Sequence, residues 1–316
     1  LCLVACIPQQ AMAQKQSRME KLLRYLNDND ADKWQKNREK LDDETKAYYA
    51  EDLSLMDVLN DLWNGQSEQA ATLYFGCYEK AAQSNFPGIC EGEKIPLSQI
   101  RDKADQSIIN LLEASKDKIP FSRALLDSIH ATEYPVDSAM LQRLQNIREV
   151  ALLEGMLKTP TPIIYQTYVK EYPNGKFIAQ VNASENVRLY QLVKTAPTPA
   201  NFKAFFEDPE MQKYYQDRGP RPYLAEVRTL YDDFLFQRID SLKKEGNATA
   251  IRQIIDDYKN TPYLATGART HLNDLEYLSE KADFELLKPA IVNSESLGLL
   301  QEFLKTHKYK EFRDQA

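Results

Sequence analysis

Glycine, histidine and cysteine are all scarce in this chain of 316 residues, and each shortage argues against a class of protein. The sequence holds 10 Gly, 3 His and 4 Cys. Few glycines argue against β-sandwiches and β-barrels, which use glycine at many tight turns. The His and Cys residues show no CxxC or CxxH spacing, so we predict neither a metal site nor a cofactor.

The chain also lacks an excess of positive charge and a long apolar run. Its 47 acidic and 40 basic residues give a net charge of −7, whereas nucleic-acid binders need a basic footprint. No stretch approaches the roughly 20 apolar residues of a transmembrane helix. A hydrophobic fraction of 43%, with 18 Tyr and 12 Phe, is nevertheless enough to bury a core, which excludes global disorder.

The first 13 residues have the features of the end of a secretory signal peptide. Residues 1–7 are an uninterrupted apolar run, Pro8 follows, and residues 11–13 read Ala-Met-Ala. An apolar segment, a helix breaker and an A-x-A site in this order are typical of a cleaved signal. We therefore treat residues 1–13 as a signal-peptide remnant, with cleavage after Ala13, and expect a periplasmic protein whose association with the outer membrane is left open.

Two other interpretations of this segment compete with cleavage. Residues 3–6, Leu-Val-Ala-Cys, resemble a bacterial lipobox, in which Cys6 would carry a lipid anchor. We favour cleavage, because small residues surround Ala13 and no acidic or Ser-rich spacer follows Cys6. The other alternative is a buried N-terminal strand.

The Ala-x-Ala-Gln junction also resembles signals common in Bacteroidetes.

Export would place Cys77 and Cys90 in an oxidising compartment. An even number of cysteines there predicts one disulfide. The intervening segment ends with Asn-Phe-Pro-Gly at residues 85–88, which would let the chain turn back. The alternative is a pair of buried free thiols.

The apolar pattern of residues 14–157 is helical. One face has the i, i+3, i+4, i+7 spacing of an amphipathic helix, in Met19, Leu22, Leu23 and Leu26. A second apolar face runs from Leu53 to Trp63 and ends just before Gly65, a typical helix stop. Strand patterns are nearly absent, so we predict a helical N-terminal region.

The remaining residues, 158–316, repeat one pattern about every 40–50 residues. Each copy carries an apolar i, i+3, i+4 face, and the four faces are Tyr165/Tyr168/Val169, Phe202/Phe205/Phe206, Ile251/Ile254/Ile255 and Leu300/Phe303/Leu304. A single amphipathic hairpin cannot bury its face, so we expect the copies to stack as an α-solenoid. The last copy reaches Ala316 where its second helix should begin, and we expect the natural chain to continue.

The turn of the first copy resembles a known family. Residues 172–179, Tyr-Pro-Asn-Gly-Lys-Phe-Ile-Ala, are similar to the turn of tetratricopeptide-type repeats in bacterial envelope proteins such as outer-membrane assembly lipoproteins and cell-division coordinators. The resemblance covers about residues 160–316, but only this turn matches closely. It implies an all-α, tetratricopeptide-like solenoid that binds and scaffolds rather than catalyses.

The second copy contains an insertion of about nine residues within residues 208–222. Insertions in solenoids often map to loops on the binding face. The segment holds Tyr214, Tyr215, Arg218 and Arg221, of residue types enriched at interface hot spots. We predict that these four side chains bind the partner. The alternative is a long inter-helix turn with solvated Arg and packed Tyr.

No pattern in the chain predicts catalysis. The three histidines, His130, His271 and His307, are far apart, and HExxH, Walker, GxGxxG and GxSxG motifs are missing from the sequence. Adjacent acidic pairs such as residues 256–257 do not face each other on a helix. An N-glycosylation sequon begins at Asn182, although such three-residue patterns are common by chance.

These observations predict an exported, non-catalytic helical-repeat scaffold that binds a protein or peptide partner in the cell envelope. The alternative is an accessory protein of glycan or nutrient capture at the outer membrane. A third class, an envelope hydrolase, would need paired carboxylates in a deep cleft.

Overall fold

The computed structural model describes residues 9–245, 248–260, 263, 269–291 and 297–315. All regular structure within these ranges is helical, with 18 helices and no strand, so the all-α prediction is confirmed. None of the described helices is long and apolar enough to cross a membrane. Cys6 and the rest of residues 1–8 lie outside the described ranges, and residues 9–13 form the start of the first helix.

The helices in chain order are α1 (Gln9–Asn27), α2 (Ala31–Glu39), α3 (Asp43–Tyr48), α4 (Ala50–Trp63), α5 (Glu68–Ala82), α6 (Phe86–Glu93), α7 (Leu97–Ala114), α8 (Lys118–His130), α9 (Ser138–Lys158), α10 (Pro162–Glu171), α11 (Ile178–Thr195), α12 (Pro199–Glu207), α13 (Pro209–Tyr215), α14 (Leu224–Lys244), α15 (Ala248–Asn260), α16 (Arg269–Ile291), α17 (Leu297–Thr306) and α18 (Lys310–Gln315). They form two compact units. The first comprises Leu1–Thr159 and Gln166–Phe177, and the second comprises Pro160–Tyr165 and Ile178–Ala316.

The core of the first unit is built on the faces predicted from the sequence. The four apolar residues of the α1 face are each at most 1% exposed, and α1 packs against α2, α4 and α6. On α4, the buried residues are Asp52, Leu53, Leu55, Met56, Leu59 and Leu62. Burial of apolar side chains at about 25 cal/mol per Å² is the main stabilising contribution here.

The predicted disulfide between Cys77 and Cys90 is not present, because both residues are free thiols in the structure. Cys77 lies on α5, with its Sγ 3.5 Å from Ser54 Oγ, whereas Cys90 lies on α6 and is buried in the core. Burial raises the pKa of the Cys90 thiol to about 12. The chain turns at residues 83–85, and Pro87-Gly88 belongs to the start of α6 rather than to the turn.

The four sequence copies each begin with a helix, α10, α12, α15 and α17, and each contains a second helix, α11, α14, α16 and α18. The middle residue of every predicted face is buried, and these residues are Tyr168, Phe205, Ile254 and Phe303. Within the second unit, α11 packs against α12, α13 and α14, α14 against α15, and α16 against α15, α17 and α18. The first part of the inserted segment in the second copy is a short helix, α13, and residues 216–223 after it form turns and irregular structure.

The turn between α10 and α11 is held by a buried tyrosine. Tyr168 Oη donates to Glu149 Oε1 at 2.8 Å and accepts the Phe177 N–H at 3.1 Å. Gly175 sits against this pair, because a Cβ built on it would lie 2.5 Å from Glu149 Oε1 and 2.6 Å from Tyr168 Oη. The turn that resembles tetratricopeptide repeats therefore has no room for a side chain at Gly175.

We expect Gly175→Ala to lower the free energy of unfolding of the first unit by about 1–3 kcal/mol, the usual cost of overpacking. The added methyl group must displace the Tyr168–Glu149 hydrogen bond. Gly76→Ala on α5 is the matched control, since nothing lies within 4 Å of its Cβ position and alanine is the better helix former. Urea denaturation should separate the two variants, and equal midpoints would contradict the close approach at Gly175.

Candidate partner-binding cavity

The inserted segment lines a cavity of about 380 Å³ in the second unit, hereafter the α13 cavity. Its apolar lining is Phe206, Met211, Tyr215, Pro220, Leu224 and Tyr263, and its polar lining is Gln212, Gln216, Arg221 and Arg228, with Gly219 completing the wall. These residues come from α12, α13, the 216–223 segment, the start of α14 and the isolated Tyr263.

The segment is folded by ordinary local signals. The Asp208 side chain accepts the Met211 N–H at 2.8 Å, and Pro209 occupies the first turn of α13, a typical helix start. Met211 is fully buried and fixes α13 to its surroundings. After α13 the chain changes direction at Gly219 (φ 95°) and Tyr223 (φ 65°). A tyrosine in the left-handed region is uncommon and strained.

The strained Tyr223 is held by a neighbouring ring. It stacks on Tyr190, with ring centroids 4.4 Å apart and an interplanar angle of 12°. Stacked aromatic pairs are worth about 0.5–1.5 kcal/mol beyond the area they bury, which offsets part of the backbone strain. This pair fixes the point where the inserted segment meets α14.

Arg221 is the most strongly positioned side chain of the α13 cavity. Its Nε donates to Asn186 Oδ1 at 2.6 Å, and its Nη1 donates to the carbonyl of Phe205. The guanidinium carbon lies 3.9 Å from the centroid of the Phe205 ring. Asn186 in turn donates to the carbonyl of Pro222 at 3.2 Å. The side chain and the loop that carries it are therefore held by the same asparagine.

Two arginine N–H groups of the cavity have no hydrogen-bond acceptor among the described residues. Burial lowers the pKa of Arg221 to about 10, against the opposing effect of Asp208 and Glu185, so the group remains charged at pH 7. The Nη2 of Arg221 and the Nε of Arg228 are both shielded from solvent, and neither has a hydrogen-bond partner among the residues that the structure describes. Leaving a buried charged donor unpaired costs more than the 1–3 kcal/mol of a neutral one.

The structure separates the four residues predicted from the insertion into two pairs. Tyr215 and Arg221 line the α13 cavity. Tyr214 and Arg218 do not, because they engage each other: the Arg218 guanidinium lies 4.3 Å from the Tyr214 ring centroid, and its Nη1 donates to the Tyr214 carbonyl at 2.8 Å. Whether any of the four binds a partner stays a prediction.

Sequence reasoning missed Arg228 and the buried polar residues that position Arg221. Asn182, Glu185 and Asn186 on α11 are at most 2% exposed. Their i, i+3, i+4 spacing inside an otherwise apolar helix face is a signal that could have predicted a buried polar network. Asn182 Oδ1 accepts from Tyr165 Oη at 2.9 Å, and its Nδ2 donates to the Ile178 carbonyl at 2.8 Å. The sequon at Asn182 is therefore inaccessible in the folded chain.

Two further findings bear on the chemistry of the site. Within the described ranges, no three or more His, Cys, Asp or Glu side chains are grouped so that they could hold a metal ion. No protein-family model, characterised protein or solved structure matches this chain.

Proposed function

We propose that this chain is an exported, non-catalytic helical-repeat scaffold that binds a protein or peptide partner in the cell envelope through the α13 cavity. The observation that carries the proposal is a mainly apolar cavity lined by two arginines, each with one shielded nitrogen that has no acceptor among the described residues. Its volume of about 380 Å³ is near the lower end of ligand pockets, roughly 300–1,000 Å³, and suits one or two side chains of a partner.

A tetratricopeptide-like α-solenoid is part of this proposal. Four helix pairs with an equivalent buried residue support it. The packing of α11 against α14, of α14 against α15 and of α15 against α16 supports it as well. Solenoids bind partners through extended surfaces that their repeats create. The export step is supported by the apolar run and A-x-A sequence of residues 1–13, and the Bacteroidetes-type envelope by resemblance alone.

Glycan or nutrient capture is the second candidate function, and the aromatic geometry disfavours it at this cavity. Sugar binding would use open aromatic faces, but Phe206 and Tyr263 stack on each other, with centroids 4.2 Å apart and an interplanar angle of 7°. Each ring therefore has one face already covered. A peptide side chain can instead use the edges of these rings together with Met211 and Leu224.

Site-specific photo-crosslinking in cells tests the proposal. A photoreactive amino acid at Gln216, which lines the α13 cavity, should give an adduct with a polypeptide. The same amino acid at Lys213, exposed on α13 but outside the lining, is the control and should give little. Tyr215→Ala should reduce the Gln216 adduct by about tenfold, as for an interface residue worth about 1.4 kcal/mol.

Three outcomes would count against the proposal. Equal adducts from both positions would show that the cavity is not the binding site. An adduct with a carbohydrate would favour glycan capture. The absence of any polypeptide adduct at Gln216, in a variant that melts at the same temperature as the natural chain, would remove the partner-binding function from this cavity.

A further inference from the structure

The α13 cavity holds two arginines that have no ion-paired carboxylate among the described residues. No Asp or Glu is among the described residues of its lining, although the chain as a whole is acidic at −7. Neither Arg221 nor Arg228 forms an ion pair in the part of the chain that the structure describes. An anion is therefore the ligand that the charge of this cavity would select.

The acidic groups nearest to Arg221 are already committed to other partners. Glu185 is bound by Arg188 through two hydrogen bonds of 2.7 and 2.6 Å. Asp208 uses its side chain to cap α13 at the Met211 N–H. Each carboxylate therefore already has a partner among the described residues, and neither forms an ion pair with Arg221. Among the described residues no acceptor is left for the Arg221 Nη2, and a ligand can supply one.

We propose that the α13 cavity binds a carboxylate carried on an apolar residue, with Arg221 and Arg228 as its counter-charges and the apolar wall as the seat of the attached side chain. Two unpartnered N–H donors suit the two oxygens of a carboxylate, which arginine binds with directional, charge-assisted hydrogen bonds. The carboxylate could belong to the C-terminal residue of a peptide or to a free apolar acid, and the experiment separates these sources.

Phosphate fits this cavity less well than a carboxylate. A phosphate group carries close to two negative charges and three strongly accepting oxygens. Part of this charge, and at least one of these oxygens, would face Met211 and Leu224 without a polar partner. An unpaired anionic oxygen beside apolar walls is costly. Inorganic phosphate is for this reason the negative control for charge alone.

Calorimetric titration of the full chain tests the inference with four probes. These are N-acetyl-Phe-Phe with a free carboxylate, the same dipeptide as its C-terminal amide, 3-phenylpropionate and inorganic phosphate. We expect the free acid to bind at least about tenfold more tightly than the amide, because only the acid supplies the missing acceptor. Arg228→Met should abolish that difference.

Arg238→Met is the matched control, since it removes the same charge from an exposed arginine of the same helix outside the cavity lining and should leave the acid preference unchanged. Arg228→Lys, which retains the charge, provides a second variant if Arg228→Met does not fold. It should restore part of the preference.

The carboxylate site rests on the proposed function only where the carboxylate belongs to a peptide. Its failure can be distinguished from failure of the proposed peptide binding. Equal binding of acid and amide would overturn the carboxylate site while leaving peptide binding intact. Binding of 3-phenylpropionate without either peptide would support the carboxylate site and contradict the peptide function. Phosphate bound as tightly as the acid, an acid preference retained in Arg228→Met, or no binding of any probe would each overturn the carboxylate site.

Discussion

Replacing Arg148 by methionine should lower the free energy of unfolding of the first unit by about 3–5 kcal/mol, the usual cost of breaking a buried ion pair. Arg148 on α9 has a side chain only 2% exposed, and its Nε and Nη2 donate to the two oxygens of Glu171 at 2.6 and 2.9 Å. Its Nη1 donates to the Ile119 carbonyl at 2.8 Å and to Ser122 Oγ at 3.1 Å. The substitution leaves all four acceptors without this donor.

Arg143→Met is the matched control, because it makes the same change on the same helix. The Arg143–Glu113 pair is 46% and 45% exposed, and such pairs contribute at most about 1 kcal/mol. Both tryptophans, Trp34 and Trp63, belong to the first unit, so tryptophan fluorescence during urea denaturation reports on this unit. Similar midpoints for the two variants would show that the Arg148 network does not stabilise it.

Asp105→Asn should raise the stability of the first unit by about 3 kcal/mol at pH 7, the equivalent of about two pKa units. Burial raises the pKa of Asp105 to about 6, and Asp102 and Asp137 also raise it, while the hydrogen bond from Tyr134 and the charge of Arg101 oppose the shift. Asn retains an oxygen that can accept from Tyr134 Oη, which lies 2.6 Å from Asp105 Oδ1.

The sign of the pH dependence follows from the direction of this shift. The folded pKa of Asp105 lies above the unfolded value near 3.9, so its proton stabilises the fold. That contribution is fully present below about pH 3.9 and is lost as the pH rises through about 6. Asp105→Asn should remove this slope between pH 4 and 7. Asp102→Asn, at an exposed position on the same helix, should keep it, and a slope unchanged in Asp105→Asn would refute the assignment.

The helical faces could be predicted from the sequence because they depend on local periodicity. The α1 face is buried as expected, and so is the middle residue of each repeated face, including Phe303 in the last copy. The start of α13 was also readable, since Asp208-Pro209 is a common helix start. It was missed because the insertion was interpreted only as a loop.

The composition of the α13 cavity could not be predicted in the same way. Arg228 lies on α14, and nothing in its local sequence distinguishes it from a solvated arginine. Tyr214 and Tyr215 are adjacent and of the same type, yet only Tyr215 lines the cavity. The packing of α13 decides which of the two tyrosines faces the cavity. The disulfide prediction was wrong for a similar reason. Cys77 and Cys90 lie on separate helices, and the packing of these helices decides which residues the two side chains contact.

The double anchoring of Arg221 has a consequence for the speed and cost of recognition. A free arginine loses rotamer entropy when a ligand immobilises it, at about 0.5–1.5 kcal/mol per side chain. Here Asn186 and the Phe205 carbonyl already hold the guanidinium before any ligand arrives. The rotamer entropy of Arg221 is therefore lost when the chain folds and not when the ligand binds. A ligand meeting this group would find a preformed contact, and its association would not wait for the side chain to rearrange.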